Sequence, residues 1–137
     1  MEIRDTNLSD YEQIFNLLKQ EDMTFEFFTK EKFSNMLKRN KGFYLIAVEH
    51  NKVIGSIFAT HDGGYYGYIY KLVVRKDYQR KGVASMLLRE VLNKLKDIPW
   101  IFAHIEKTNK SSLNLFKKFG LNVRETHNLV DIYKSSD

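Results

Sequence analysis

The clearest chemistry in this 137-residue chain lies in Gln79-Arg80-Lys81-Gly82-Val83-Ala84. Ahead of these residues runs "IYKLVV" (Ile69 to Val74), rich in β-branched and aromatic types. Behind them begins an apolar-periodic helix, Gly82 to Lys96. Strand, loop and helix N-terminus in that order can hold a phosphate. The first N–H groups of a helix have no internal acceptor, and the helix dipole adds positive potential there. Gly82 lets a ligand approach the backbone, small Ala84 keeps the first turn open, and Arg80 and Lys81 add charge. A glycine at the start of an ordinary helix reads the same way, so the spacing alone leaves a plain surface loop open. The segment is neither a Walker loop nor the G-x-G-x-x-G dinucleotide fingerprint.

The elements that must position this loop follow one another closely, with no linker, repeat or low-complexity stretch. "EIRD" (Glu2 to Asp5) reads as a short strand. Leu8 to Gln20 carries Leu8, Tyr11, Ile14, Phe15, Leu17 and Leu18 at helical spacing. Thr29 is placed to cap a second helix, Lys30 to Arg39. The segment "GFYLIAVEHNKVIGSIFATHDGGYYGYIYKLVV" reads as three strands. Its turns, "HNK" and "DGG", use residues that tolerate positive φ, which predicts an antiparallel meander. In the helix from Gly82 to Lys96, Val83, Met86, Leu87, Leu88, Val91, Leu92 and Leu95 mark one apolar face. Trp100 to Glu106 is a strand, Ser111 to Phe119 a shorter helix stopped at Gly120, and Leu121 to Lys134 one or two closing strands. The order β-α-α-β-β-β-α-β-α-β makes an α/β sandwich around a mixed sheet.

Bulk composition agrees with one domain, residues 1–137. Hydrophobic residues are 43% and charged residues 28%, an ordinary globular balance. The net charge of +5 suits an acidic partner such as nucleic acid, a phosphorylated cofactor or an anionic surface. A solvated basic surface accounts for it equally well. The chain has no cysteine, which excludes disulfides, thiolate zinc sites and cysteine nucleophiles. The N-terminus lacks the apolar core of a signal peptide, and the longest apolar run, "FYLIAV", is too short to span a bilayer. The default is a soluble cytoplasmic protein with no metal site.

"VVRKDYQRKGVASMLL" resembles motif A of the GNAT superfamily of N-acetyltransferases, [RQ]-x-x-G-x-[GA], with Gln79, Gly82 and Ala84 at its three positions. "NKSSLNLFKKFGL" resembles motif B, with Asn109, Phe116, Gly120 and Leu121 in place. The order of elements also matches, so the resemblance covers nearly the whole chain. It implies the GNAT-like acyl-CoA N-acyltransferase fold: a mixed, mostly antiparallel sheet flanked by helices, whose fourth and fifth strands splay apart around pantetheine. It implies acetyl-CoA as cosubstrate and an amine as acceptor. Backbone groups at Leu72, Val73 and Val74 would pair with pantetheine. Amides from Arg80, Lys81, Gly82, Val83, Ala84 and Ser85, beside Gln79, would hold the pyrophosphate. Asn109, Ser112 and Phe116 would line the other wall. A homodimer through the last strands is common in the family.

The implied reaction needs an amine freed of its proton; at a lysine-like pKa of ~10.4, little is nucleophilic near neutrality. It also gains from protonating the leaving thiolate. Many family members use a motif-B tyrosine for that, but this chain has Phe116 there. A thiol of pKa ~8.5 still leaves tolerably. For the base, the resemblance points to His104, where some relatives carry a glutamate, and to Tyr68 and Tyr70. These tyrosines sit on the fourth strand and are expected to share a face with Leu72 and Val74. Glu106 is a further candidate. Each of these also fits ordinary sheet packing. His50, His61 and His127 read as turn or surface residues. The loop "QEDMTFEFFT" borders the acceptor site in this fold. Glu21 and Asp22 could attract an amine there, and Phe25, Phe27 and Phe28 could wall a pocket or cover the core.

Two further readings follow from the same residues. Phe116 allows a catalytically silent acyl-CoA-binding module. The charge and the aromatic strand "GGYYGYIYK" allow a nucleic-acid-binding domain with steeply salt-dependent affinity. That reading leaves the spacing of Gln79, Gly82 and Ala84 unexplained and ranks last.

Overall fold

The structure is a computed structural model and describes residues 1–20, 28–105 and 107–124. The chain forms two compact units, Met1–His104 and Ile105–Asp137. The first holds strands β1 (Glu2–Asp5), β2 (Tyr44–Glu49), β3 (Lys52–His61), β4 (Tyr66–Val74) and β5 (Trp100–Ala103). It also holds helices α1 (Tyr11–Gln20), α2 (Lys30–Arg39) and α3 (Val83–Lys94). The second holds α4 (Lys110–Lys118). The element order expected from sequence is observed through α4. Residues 121–124 have no regular structure, and the rest of the expected closing strands, with His127, lies outside the described residues. No helix among the described residues is long and apolar enough to cross a membrane.

Local chemistry explains the boundaries. Asn7 and Asp10 form a reciprocal capping box, so the first turn of the expected Leu8 helix, Leu8–Asp10, is a 3-10 turn that runs into α1. Buried Asp10 accepts two bonds from the Arg4 guanidinium at 2.9 Å each, tying β1 to this helix start. Thr29 caps α2 as expected, accepting from the Lys32 N–H. His50 and Asn51 both take positive φ (51° and 62°), the paired left-handed turn that joins β2 to β3. Between β3 and β4, Asp62 Oδ1 accepts from the N–H groups of Gly64, Tyr65 and Tyr66.

The sheet runs β1-β2-β3-β4-β5. The first three pairings are antiparallel, and β4 with β5 is parallel, bridged by α3. One face carries Tyr44, Ile46, Phe58 and Val73 into a cluster with Tyr11, Ile14 and Phe33 from α1 and α2. Phe28 joins this cluster, stacked on Tyr11 at 5.6 Å, so it covers the core. Glu21, Asp22, Phe25 and Phe27 lie outside the described residues. On the other face α3 presses close. A Cβ on Gly55 would meet Leu87 at 3.1 Å and Val83 at 3.2 Å.

Candidate functional site

Strand β4 is two strands in one. Its first half pairs with β5 from Tyr66↔Trp100 to Ile69↔Ala103, and there the pairing ends. Its second half, Tyr70 to Val74, continues without β5. The pairing with β3 is irregular at the same place. Between Ser56 and Phe58 of β3 the register shifts, so Lys71 and Leu72 together oppose the single residue Ile57. Lys71 takes φ 54°, and its carbonyl accepts from Ser56 Oγ at 2.9 Å. This is a β-bulge, which bends and twists a strand and ends its pairing. The bulge falls next to the point where the pairing with β5 ends.

The bulge corrects one expectation. Tyr68 and Tyr70 pair with Thr60 and Phe58 and so lie on the α1 side of the sheet. Past the bulge the faces exchange. Val73, paired with Ser56, shares that side, whereas Val74 pairs with Gly55 on the α3 side. Val74 therefore does not share the tyrosines' face. Regular alternation would have placed Lys71 with Ile69 beneath α3, and a lysine at that position was the sequence signal for the irregularity. Lys71 is half-buried, and burial pulls its ammonium pKa down.

The loop after β4 holds the residues expected to meet a phosphate. Arg80 (φ 63°) and Gly82 (φ 83°) are both left-handed. Gly82 is the N-cap of α3, and no side chain caps the helix. An added Cβ at Gly82 would meet nothing within 4 Å. The glycine is needed for its backbone angle, and it leaves space in front of the helix. Arg80, Lys81 and Gly82 are exposed, Ala84 and Ser85 are half-buried, and Val83 faces the core. The Gln79 side chain turns back, donating from Nε2 to the Val74 carbonyl at 2.9 Å, and so fastens the loop to the strand end. Gln20 of α1 also reaches this junction, accepting from the Lys76 N–H at 3.2 Å.

The proton-transfer candidates cluster where β4 and β5 part. His104 lies just beyond β5, because the strand stops at Ala103 short of the expected end. Its Nδ1 is 2.7 Å from the Tyr68 hydroxyl. Burial pushes the Tyr68 phenol up. Tyr70 has a different partner: its hydroxyl is 2.5 Å from that of Tyr44 on β2. Burial raises both phenols, and the bond from Tyr44 partly offsets this at Tyr70. Both therefore stay protonated near neutrality. Glu106 lies outside the described residues. His50 is exposed in its turn, and exposed His61 packs on Phe43 at 4.7 Å.

Beside Tyr68 runs a groove of about 370 Å³, with Thr60, Tyr66 and Phe102 among its walls. A larger cavity, about 480 Å³, lies among Gln13, Asn16, Gln20 and Arg75. Its lining residues include no carboxylate, imidazole or phenol to move a proton, and its Gln13 side chain is engaged by the Val53 N–H.

In the second unit, Asn109 caps α4, accepting from the Ser112 N–H at 3.1 Å. Phe116 is buried. Gly120 (φ 88°) ends the helix, and the N–H groups of Gly120 and Leu121 return to the carbonyls of Lys117 and Phe116. This Schellman turn gives the "FGL" ending a structural reason.

Comparison with known proteins follows this geometry. The family model described as "Acetyltransferase (GNAT) family" matches residues 4–121. An acetyltransferase of Sodalis glossinidius (strain morsitans) is 26% identical over 129 residues, 92% of this chain and 90% of that protein. Among solved structures, an aminoglycoside acetyltransferase from an uncultured soil metagenomic sample superimposes with a TM-score of 0.77. It is 19% identical, and the match covers 99% of this chain and 96% of that one. A GNAT family protein of Streptococcus pneumoniae TIGR4 gives a TM-score of 0.77 at 21% identity, over 99% and 98% of the two chains. These two structural likenesses speak to the fold.

Proposed function

The chain belongs to the acetyltransferase (GNAT) family, and from that premise we propose that it is a cytoplasmic N-acetyltransferase. In this reading one domain, residues 1–137, passes the acetyl group of acetyl-CoA to a primary amine of a small molecule or peptide. The observation that carries the reading is the uncapped N-terminus of α3 behind left-handed Gly82, set directly after a strand that has parted from its neighbour. The exposed amides suit a pyrophosphate. The open edge from Tyr70 to Val74 offers the backbone groups of Leu72 and the N–H of Val74 to pantetheine, whereas those of Val73 turn to Ser56 on β3. The Val74 carbonyl is already taken by Gln79. Absence of cysteine fits a reducing compartment.

The acceptor lies in the groove beside Tyr68, with its body on Tyr66 and Phe102. His104, hydrogen-bonded to Tyr68, receives the proton of the attacking amine. The amine nitrogen bonds to the thioester carbonyl carbon, the carbon–sulfur bond breaks, and sulfur leaves with the electron pair. Tyr70 gives that sulfur a proton in place of the hydroxyl missing at Phe116. Holding both partners in one cleft supplies much of the rate.

The test is free-thiol release from acetyl-CoA across polyamines, amino acids, aminoglycosides and short peptides, with a no-amine control for hydrolysis. Release dependent on one amine class is expected. Tight acetyl-CoA binding without such release across the panel would favour the second reading, a silent acyl-CoA binder, which the missing hydroxyl at Phe116 supports.

A further inference from the structure

Tyr70 does not stand alone. Asn40, just past the end of α2, reaches Tyr44, and Tyr44 reaches Tyr70. The order of donors along this chain can be worked out. The Met36 carbonyl can only accept, which identifies the Asn40 amide atom beside it as nitrogen, and the amide oxygen accepts from Thr60 Oγ1 at 2.8 Å. The Asn40 Nδ2 group, which can only donate, serves the Met36 carbonyl at 3.2 Å and the Tyr44 oxygen at 3.4 Å. The Tyr44 oxygen thus accepts from Asn40, and its own proton needs an acceptor. Tyr44 is 2% exposed, so water cannot serve it, and an unmade bond there would be costly. The Tyr70 oxygen, 2.5 Å away, is the acceptor at hand. Tyr44 therefore donates to Tyr70, and the proton of half-buried Tyr70 is left to point elsewhere.

Packing makes this arrangement stiff. The Tyr44 ring stacks on Phe58 at 4.5 Å, and the Tyr70 ring meets Phe58 edge-on at 5.8 Å. Besides Tyr44 from β2, Tyr70 has Tyr68 as a titratable neighbour, 6.1 Å away between rings, which carries His104 on its hydroxyl. Lys71 follows Tyr70 along the strand.

We propose that Tyr44 is a positioning residue that acts through Tyr70. Its hydroxyl fixes the Tyr70 oxygen, turns the Tyr70 proton outward, and stabilises the phenolate left when that proton goes to the leaving sulfur. This rests on the reading of Tyr70 as the thiolate acid. The amine proton passes to His104 and the Tyr70 proton passes to sulfur; after product leaves, His104 releases its proton to solvent and Tyr70 regains one from solvent, so the protons balance.

The test has two arms. In the first, the protein is labelled with fluorinated tyrosine, whose phenols ionise at lower pH, and titrated by fluorine NMR. The Tyr70 signal is assigned by its loss in Tyr70→Phe. In Tyr44→Phe the Tyr70 signal should titrate at higher pH than in the parent, because its phenolate loses a donor. An unmoved titration overturns the proposal. In the second arm, thiol release is measured for Tyr44→Phe, Tyr70→Phe and the double variant. Tyr44→Phe should lower kcat about tenfold with KM for acetyl-CoA nearly unchanged, and Tyr70→Phe about 100-fold or more. The double variant should match Tyr70→Phe alone, since a residue acting only through Tyr70 adds nothing once it is gone. Multiplied losses overturn the proposal. If Tyr70→Phe leaves kcat intact while the NMR shift appears, the acid reading of Tyr70 fails and the hydrogen-bond assignment stands.

Discussion

The two faces of the central strands are built from different chemistry. Towards α3, β3 and β4 show Gly55, Ile57, Ala59, Gly67 and Ile69, nearly all fully buried. Two of these are glycines that let α3 and β5 residues approach: a Cβ at Gly67 would meet Ile101 at 3.0 Å, as one at Gly55 would meet Leu87 and Val83. Towards α1, the same strands show Phe58, Thr60, Tyr68 and Tyr70, and the hydroxyls there join Asn40, Tyr44 and His104. The five residues named on the first face carry no hydrogen-bonding side chain, and the small ones permit close packing. The other spends packing density on oriented hydroxyls. A sheet can serve both purposes because alternate side chains point to opposite sides. On this chain the α3 side of β3 and β4 is given to close packing, the α1 side joins the main apolar cluster to oriented hydroxyls, and the bulge at Lys71 is where β4 exchanges faces.

Three substitutions would break or sharpen that contrast. The largest effect is expected at Gly82→Glu, at the end of α3 and not on its packed face. Acetyl-CoA binding by calorimetry should disappear through charge and steric conflict, while the left-handed backbone costs only about 1–2 kcal/mol of stability. Unchanged affinity would remove the loop from the cofactor site. Next comes His104→Ala on the hydroxyl face. Turnover should fall about 100-fold with the melting temperature close to that of the parent, because His104 is exposed. A large drop in melting temperature with turnover preserved would make His104 a packing residue and erase the division of faces. The smallest effect belongs to Gly55→Ala on the packed face. Leu87, Val83 and the Val73 carbonyl must give way by a few tenths of an ångström, for a loss of about 1–3 kcal/mol in chemical denaturation. Acetyl-CoA affinity of the folded protein should stay close to the parent's, and a parallel fall in affinity would show that Val83 transmits strain into the loop.

What the sequence determined by itself was the list of elements through α4 and the turn that starts α3. Helical periodicity, Thr29, the "HNK" and "DGG" turns and the spacing of Gln79, Gly82 and Ala84 are local signals. Each depends on residues within a few positions of one another, so they survive without knowledge of the rest of the chain. The strand face of Val74, the end of β5 before His104, and the chain from Thr60 through Asn40 and Tyr44 to Tyr70 were decided only by tertiary structure. Tyr44 read as one aromatic in the run "FYLIAV", and nothing near it in sequence indicates a partner 26 positions away. The physical reason is that a bulge and a hydrogen-bond chain are properties of strand pairing. Pairing brings together groups whose separation along the chain no local pattern records.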